Sequence, residues 1–77
     1  MLNNIDEETW FFIYLLEHYA AYKGEKTGAV LKAWDERNIT ETIYNSYWGY
    51  HTERIENAYE DIDHLLATGR HLNATMQ

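Results

Sequence analysis

The 77-residue chain contains no proline, and this absence constrains its fold more than any other feature of the sequence. Proline interrupts helices, so a chain without it can form long local helices wherever apolar residues recur at helical spacing. The four glycines stand at positions 24, 28, 49 and 69, close to the points where the apolar patterns break. No segment alternates apolar and polar residues for long enough to form a strand. We therefore expect one all-α domain over residues 1–77, a compact bundle of about three to four short helices.

The first helix is predicted to run from the acidic start of the chain to Gly24. The carboxylates at positions 6–8 lie where the positive end of a helix dipole favours them. Gly24 can adopt the left-handed conformation that ends many helices. Residues 10–16 between these signals are apolar on every side. A helix that is apolar all round is usually buried, so this helix is expected to be the central, most buried one.

The second helix is predicted to run from an N-cap at Thr27 to about Arg37, with Asn38 as its stop. A third helix is predicted to begin at Thr40 and to end where Gly49 breaks the pattern. The apolar residues of these two helices recur at helical spacing: Val30, Leu31, Trp34, Ile43, Tyr44, Tyr47 and Trp48.

The last helix has the cleanest amphipathic pattern in the chain. It is predicted to begin after an N-cap at Thr52 and to end near Gly69. Its apolar face comprises Ile55, Ala58, Tyr59, Ile62, Leu65 and Leu66. The ordered core is expected to span about residues 5–69, and residues 70–77 are expected to fray as a polar tail.

The charge balance excludes several classes of function. Thirteen acidic residues against six basic ones give a net charge of −7, whereas nucleic-acid and membrane surfaces are bound by clustered Lys and Arg. Direct binding to nucleic acid or to a membrane is therefore not expected.

The chain start lacks the basic region of a secretory signal, and no apolar run approaches the roughly 20 residues that cross a bilayer. A cytoplasmic location is expected.

The sequence predicts no catalytic, metal or cofactor site. No two of the four histidines are four residues apart, and the spacing of Glu60 and His64, which would allow chelation, often arises by chance on helix surfaces. The one serine, Ser46, has no glycine elbow around it, and no glycine-rich loop carries a lysine. With no cysteine, thiol chemistry and disulfides are absent as well. The protein is expected not to be an enzyme.

The aromatic content is high, with two Phe, three Trp and seven Tyr residues. A domain of this size buries only roughly 60% of the surface of its unfolded chain, so at least one exposed cluster of rings is expected. Tyr and Trp combine a large apolar ring with a polar group, which suits protein interfaces. Trp48, which precedes Gly49, is predicted to be the exposed anchor of such a cluster.

A binding surface for a basic protein partner is predicted beside these rings. Carboxylates aligned on one side of the last helix repel one another unless a basic partner relieves them. Rings beside carboxylates also bind Arg and Lys through cation–π contacts and charged hydrogen bonds. The predicted partner-binding residues are Tyr44, Tyr47, Trp48, Tyr50, His51, Glu53, Glu56, Glu60 and Asp63. A merely solvated acidic face, core positions for Tyr47 and Trp48, and a homo-oligomer stay open as alternatives.

Three short motifs mark the chain: the apolar run with its polar end at residues 10–19, the pair Tyr50-His51, and the acidic segment at residues 60–63. Together they resemble a small bacterial domain-of-unknown-function family over about residues 5–66. Genes of that family often neighbour ADP-ribosyltransferase-like or other toxin-type genes, so the resemblance implies an antitoxin-like or regulatory partner of such an enzyme. The alternative is a phage-type inhibitor of a nucleic-acid enzyme, whose acidic stripe would imitate phosphates.

Overall fold

The computed structural model describes residues 6–72, which form five helices and, within that range, no strand. The helices are α1 (Glu7–Lys23), α2 (Thr27–Glu36), α3 (Thr40–Tyr44), α4 (Tyr47–His51) and α5 (Ile55–Thr68). The predicted all-α class is confirmed. Among these residues no helix has both the length and the apolar character needed to span a membrane.

The ends of α1 are the ones that the sequence predicts, because both capping signals are local. Asp6 accepts a hydrogen bond from the backbone N–H of Thr9 at 2.8 Å, and its bonds with Thr9 lower the pKa of the Asp6 carboxyl. At the other end Gly24 has a φ of 70°, and its backbone N–H bonds to the carbonyls of Ala20 and Ala21. An acceptor at the first turn and a left-handed glycine at the last therefore define this helix.

The second helix begins one residue earlier than its predicted N-cap at Thr27 implies. Thr27 is the first helical residue, and Lys26 occupies the N-cap position without a side-chain bond. The predicted stop at Asn38 is confirmed, because this residue has a φ of 61°. Asparagine adopts the left-handed region more easily than other residues with a side chain, and so it can end the helix.

The predicted third helix is divided into α3 and α4, which is a correction. Ser46 donates its hydroxyl to the carbonyl of Thr42 at 2.7 Å, and its backbone N–H bonds to Ile43 rather than one residue further back. A serine that bonds to the preceding turn in this way bends or interrupts a helix. Gly49, which was expected to break the pattern, lies inside α4.

The predicted N-cap at Thr52 is also wrong. Its hydroxyl donates back to the carbonyls of Trp48 and Gly49, at 3.2 and 3.1 Å, so it closes α4 instead of opening α5. The last helix begins at Ile55, with Arg54 at its N-cap position. Its predicted end at Gly69 is confirmed by a φ of 80° at that glycine.

The core lies between α1, α2, α3 and α5, and Trp34 is its largest fully buried side chain. The rings of Phe12 and Tyr19 pack edge-on against Trp34, with centroids 5.9 and 5.6 Å away. The other fully buried large side chains are Leu15, Ile43, Ile62 and Leu65. Side chains from four helices thus contribute to one core, in which the rings of α1 pack on the indole of α2.

The expectation that α1 is the most buried helix is wrong for one of its faces. Leu15, Leu16, Tyr19 and Ala20 are buried against the core. Away from these residues, α1 exposes Trp10 at 50%, Ile13 at 37% and Tyr14 at 49%, and Tyr22, which stacks on Tyr59 of α5, is 63% exposed near its end. A small domain has too little chain to enclose a 17-residue helix on all sides, so part of its apolar run stays at the surface.

The expected fraying from residue 70 onward is wrong for the first part of that segment. His71 and Leu72 return to α5, where both donate hydrogen bonds to Asp61. The remainder of the predicted tail, residues 73–77, lies outside the described residues, as does residue 5 at the expected start of the ordered core.

Two glycines provide a test of this backbone. A Cβ added at Gly49 meets nothing within 4 Å, and alanine favours helix, so Gly49→Ala should raise the free energy of unfolding by about 0.5–1 kcal/mol. At Gly24 the positive φ strains any side chain, so Gly24→Ala should lower it by roughly 1–2 kcal/mol. Urea unfolding of the two variants measures both effects. A loss of stability in Gly49→Ala would contradict the assignment of Gly49 to the interior of α4.

Candidate functional site

Exposed rings on α1 and α4 form one continuous surface. Trp48 on α4 is 72% exposed, the most exposed of the large apolar side chains in the described chain. On α1, Trp10, Tyr14 and His18 are spaced four residues apart and so lie on one side of the helix. We call this surface the aromatic face, and it comprises Trp10, Phe11, Tyr14, His18, Tyr47, Trp48 and His51.

Ring contacts join the two helices across the aromatic face. The ring centroid of Phe11 lies 6.2 Å from Tyr14, 5.7 Å from Tyr47 and 6.2 Å from His51. On α4 the rings of Tyr47 and His51 stack at 4.0 Å with an interplanar angle of 9°. Phe11 therefore connects the exposed rings of α1 to the stacked pair on α4.

Trp48 stands edge-on beside that stacked pair. Its ring centroid is 5.4 Å from Tyr47 and 5.3 Å from His51, and within residues 6–72 these are its ring contacts. The predicted exposure of Trp48 is confirmed. For Tyr47, which is 9% exposed, the core alternative holds. Tyr47 and His51 thus support an indole that remains largely open to solvent.

Carboxylates border the aromatic face. The Tyr47 hydroxyl donates to Oε1 of Glu7 at 3.1 Å, and the exposed Glu17 lies between Tyr14 and His18 along α1. The single lysine of α1, Lys23, lies in its last turn and pairs with a carboxylate of α5 at 3.1 Å. The aromatic face therefore combines apolar ring area with negative charge.

The other side of α4 faces a buried carboxylate. Asp61 accepts hydrogen bonds from the Tyr50 hydroxyl, from Nδ1 of His71 at 2.6 Å and from the backbone N–H of Leu72 at 2.5 Å. An ionised carboxylate can only accept, so the His71 nitrogen carries the proton of that bond. Burial raises the pKa of Asp61, but these hydrogen bonds outweigh it and hold the pKa below the ordinary value of 3.8. Burial and the bond to Asp61 together raise the pKa of Tyr50.

An open groove of about 690 Å³ lies between the α3–α4 segment and α5. Glu53, Asn57, Glu60 and Asp61 line its α5 side, and the Asn57 amide donates to Oε1 of Glu53 at 3.0 Å. Tyr50 lines the opposite side. Because three donors already occupy the oxygens of Asp61, this carboxylate fastens parts of the fold together and is not a free base.

The predicted aromatic residues separate onto different surfaces. Three of them come together on the aromatic face: Tyr47, Trp48 and His51. Tyr44 instead packs against α1, where its ring lies 5.6 Å from Phe12 and its hydroxyl bonds to the Thr9 hydroxyl at 2.7 Å. Tyr50 faces the groove and Asp61. Tyr47 and Tyr50 separate because they lie on opposite sides of α4, whereas Tyr44 belongs to α3.

The carboxylates predicted to align along the last helix do not form one surface; they are Glu53, Glu56, Glu60 and Asp63. Asp63 faces α1, where it accepts from the Tyr19 hydroxyl at 2.6 Å and from Lys23. Glu53 precedes the first turn of α5, so it is not aligned with the helix. Of the other two carboxylates, Glu56 has its Oε1 3.8 Å from Nε of Arg54, and Glu60 lines the groove.

Sequence reasoning missed the contribution of α1 to this site. Trp10 and Tyr14 lie in the run at residues 10–16, and a continuous apolar run predicts burial. A signal for exposure is nevertheless present, since Glu17 and His18 continue the same side of the helix with polar residues. When apolar residues on one side of a helix are followed by polar residues on that same side, that side of the helix is expected to face solvent.

No group of three or more His, Cys, Asp or Glu side chains in residues 6–72 is arranged to hold a metal ion. Glu60 and His64, which have chelating spacing, face different neighbours. Glu60 lines the groove, whereas Nδ1 of His64 bonds to the backbone carbonyl of Arg70 at 2.8 Å.

The Asp61 site predicts a pH-dependent contribution to stability. A carboxyl whose pKa is lower in the folded state stabilises the fold above its unfolded pKa and loses that effect as the pH falls through the folded pKa. At neutral pH, Asp61→Asn should therefore cost about 1.5–3 kcal/mol of unfolding free energy, the range for hydrogen bonds to charged groups. The difference from the wild type should shrink below pH 3.8, the ordinary pKa of Asp. Glu56→Gln, at an exposed position, is the control, and a cost for Asp61→Asn that does not vary with pH would contradict this account.

Comparison with known proteins gives one result at the level of the family. Searches of curated proteins and of solved structures found no match. A family model described as a protein of unknown function, DUF3791, matches residues 10–68. The matched segment contains the aromatic face, the groove-lining residues of α3 to α5 and Asp61. Because the match covers well over half of its length, the chain belongs to the DUF3791 family of proteins of unknown function.

Proposed function

We propose that this protein is a non-catalytic protein-binding module whose aromatic face docks on a partner with a basic surface. The observation that carries the proposal is the exposure of Trp48, at 72%, and ring contacts through Phe11, Tyr47 and His51 connect it to the exposed Tyr14 of α1. Contiguous apolar patches on small proteins mark interaction sites, and Trp is among the residues most enriched at interface hot spots.

The charge of the chain supports a basic partner. The net charge is −7, and Glu7 and Glu17 border the aromatic face. An Arg or Lys side chain of the partner can lie over a Trp or Tyr ring while it bonds to a neighbouring carboxylate. Each cation–π contact contributes about 0.5–2 kcal/mol, depending on how completely it is desolvated. Two copies of this chain docked through the same face would instead bring like charges together, which disfavours self-association there.

The class of partner that we propose is an intracellular toxin or an ADP-ribosyltransferase-like enzyme. The resemblance of the sequence to a family whose genes neighbour such enzymes supports this choice. An antitoxin-like inhibitor needs no catalytic residue, because a complementary surface that covers the cleft of the enzyme is sufficient. The exposed rings of α1 and α4 are the surface that we propose for this contact.

Mimicry of a nucleic-acid backbone has less support. It requires carboxylates spread regularly over one face, whereas Asp63 is engaged by Tyr19 and Lys23 and Glu53 lies outside α5. The remaining exposed carboxylates of α5 do not form a row of comparable length.

Trp48→Ala tests this proposal. Because the indole contacts only rings of its own helix within the described chain, its removal should leave the Tm within a few degrees of the wild type. Affinity for a partner retained from native lysate should fall by roughly 30-fold or more, the equivalent of a hot-spot residue worth about 2 kcal/mol. The association rate should also fall as the salt concentration rises. Calorimetry for the melt and surface plasmon resonance for binding give these values.

The matched control is Tyr22→Ala. Tyr22 is 63% exposed, but it stacks on Tyr59 of α5 at 4.6 Å and lies outside the aromatic face. Its removal should leave the affinity unchanged. The proposal is wrong if Trp48→Ala binds as well as the wild type, or if both variants weaken binding equally.

A further inference from the structure

The single-turn helix α4 is held by two phenols that point to opposite sides. Tyr47 donates to Glu7 at the start of α1, at 3.1 Å, and Tyr50 donates to Asp61 in the middle of α5. Trp48 lies between these two residues along the chain. Because the ring contacts of Trp48 in residues 6–72 are with its own helix, its position depends on the way α4 is held.

The two attachments of α4 differ in strength. Glu7 is exposed, so water competes with the Tyr47 hydroxyl for its carboxylate. Asp61 is only 9% exposed, and a hydrogen bond to a buried carboxylate is stronger than one at the surface. The bond between Tyr50 and Asp61 is therefore the stronger of the two hydrogen bonds that hold α4.

The carboxylate of Asp61 is itself fixed in orientation. Nδ1 of His71 donates to the same oxygen as Tyr50, Oδ2, and the Leu72 backbone N–H donates to Oδ1. The ring of His71 also stands edge-on to Tyr50, at 6.5 Å between centroids. The residues that follow α5 thus complete the attachment of α4.

The segments on both sides of α4 give it room to reorient. Asn45 and Ser46 separate it from α3, and the three residues at 52–54 separate it from α5. A five-residue helix with non-helical residues at both ends has little stability of its own. Its orientation is set by side-chain contacts with α1 and α5.

We infer that Tyr50 and Asp61 are positioning residues for the aromatic face, and that their partly buried hydrogen bond holds Trp48 in its exposed position on α4. This inference rests on the proposed function, in which Trp48 is the anchor of the interface. Its test needs no partner, so it can fail while the proposed interface stands. The interface can equally fail while the positioning role of Tyr50 and Asp61 stands.

The chain contains a matched control for this bond. Two residues after Asp61, Asp63 accepts from the Tyr19 hydroxyl of α1 at 2.6 Å. Tyr50→Phe and Tyr19→Phe each remove one phenol oxygen that donates to an α5 carboxylate. Only the first of these bonds reaches α4.

Fluorine NMR of the chain labelled with fluorotryptophan reports on each site directly. The three tryptophans give three signals, which Trp10→Phe and Trp48→Phe assign. In Tyr50→Phe and in Asp61→Asn, α4 should change its position relative to α1, and the Trp48 signal should therefore shift or broaden. The Trp10 signal should stay in place. In Tyr19→Phe the Trp48 signal should not move, although the Tm falls.

An unmoved Trp48 signal in folded Tyr50→Phe would overturn the inference, because the bond would then contribute stability alone. Equal movement in Tyr19→Phe would overturn it as well, because the effect would then be general loosening. If Tyr50→Phe does not fold, His71→Ala removes one donor from Asp61 and gives the same readout. A smaller movement of the Trp48 signal in the folded His71 variant supports the inference, and no movement overturns it.

Discussion

Two tyrosine–aspartate hydrogen bonds, made by the residues on either side of Ile62, connect α4 and α1 to α5. Ile62 is fully buried in the core, and its two neighbours face opposite directions. Asp61 accepts from Tyr50 of α4, and Asp63 accepts from Tyr19 of α1. Each carboxylate has a further side-chain partner, Lys23 for Asp63 and His71 for Asp61, so a phenol and a nitrogen group hold it together. Burial and the bond to Asp63 also raise the pKa of Tyr19, which keeps it a donor at any ordinary pH.

The exposed surface follows from this arrangement. One side of α1 packs against the core, and no other helix of residues 6–72 covers the side that carries Trp10 and Tyr14. The attachment of α4 to α5 through Tyr50 leaves Tyr47 against α1 and Trp48 toward solvent. Asp61 and Asp63 are engaged by hydrogen bonds within the fold, whereas Glu7 and Glu17 are exposed carboxylates beside the aromatic face. The proposed binding surface is thus a part of the fold that the helices of residues 6–72 leave exposed.

The sequence predicts those features that depend on neighbouring residues. Asp6 and Gly24 define α1, and Gly69 ends α5, because caps act within one turn. The partners of the α5 carboxylates could not be predicted in this way, since Tyr19 is 44 residues from Asp63 and nothing local relates them. The exposure of Trp48 was predicted correctly but for the wrong reason, because Gly49 does not end the helix. Which side of α1 stays exposed depends on how many other helices are available to cover it, a property of the whole chain.

A double-mutant cycle between Tyr50 and Asp61 tests the central claim, that a partly buried hydrogen bond between these two side chains fastens α4 to α5. Unfolding free energies of Tyr50→Phe, Asp61→Ala, the double variant and the wild type give the interaction free energy of the pair. The account predicts a coupling of about 1–3 kcal/mol, with Tyr50→Phe costing little once Asp61 is already alanine. Strictly additive losses would show that the two side chains do not interact in the folded protein, and would contradict the account.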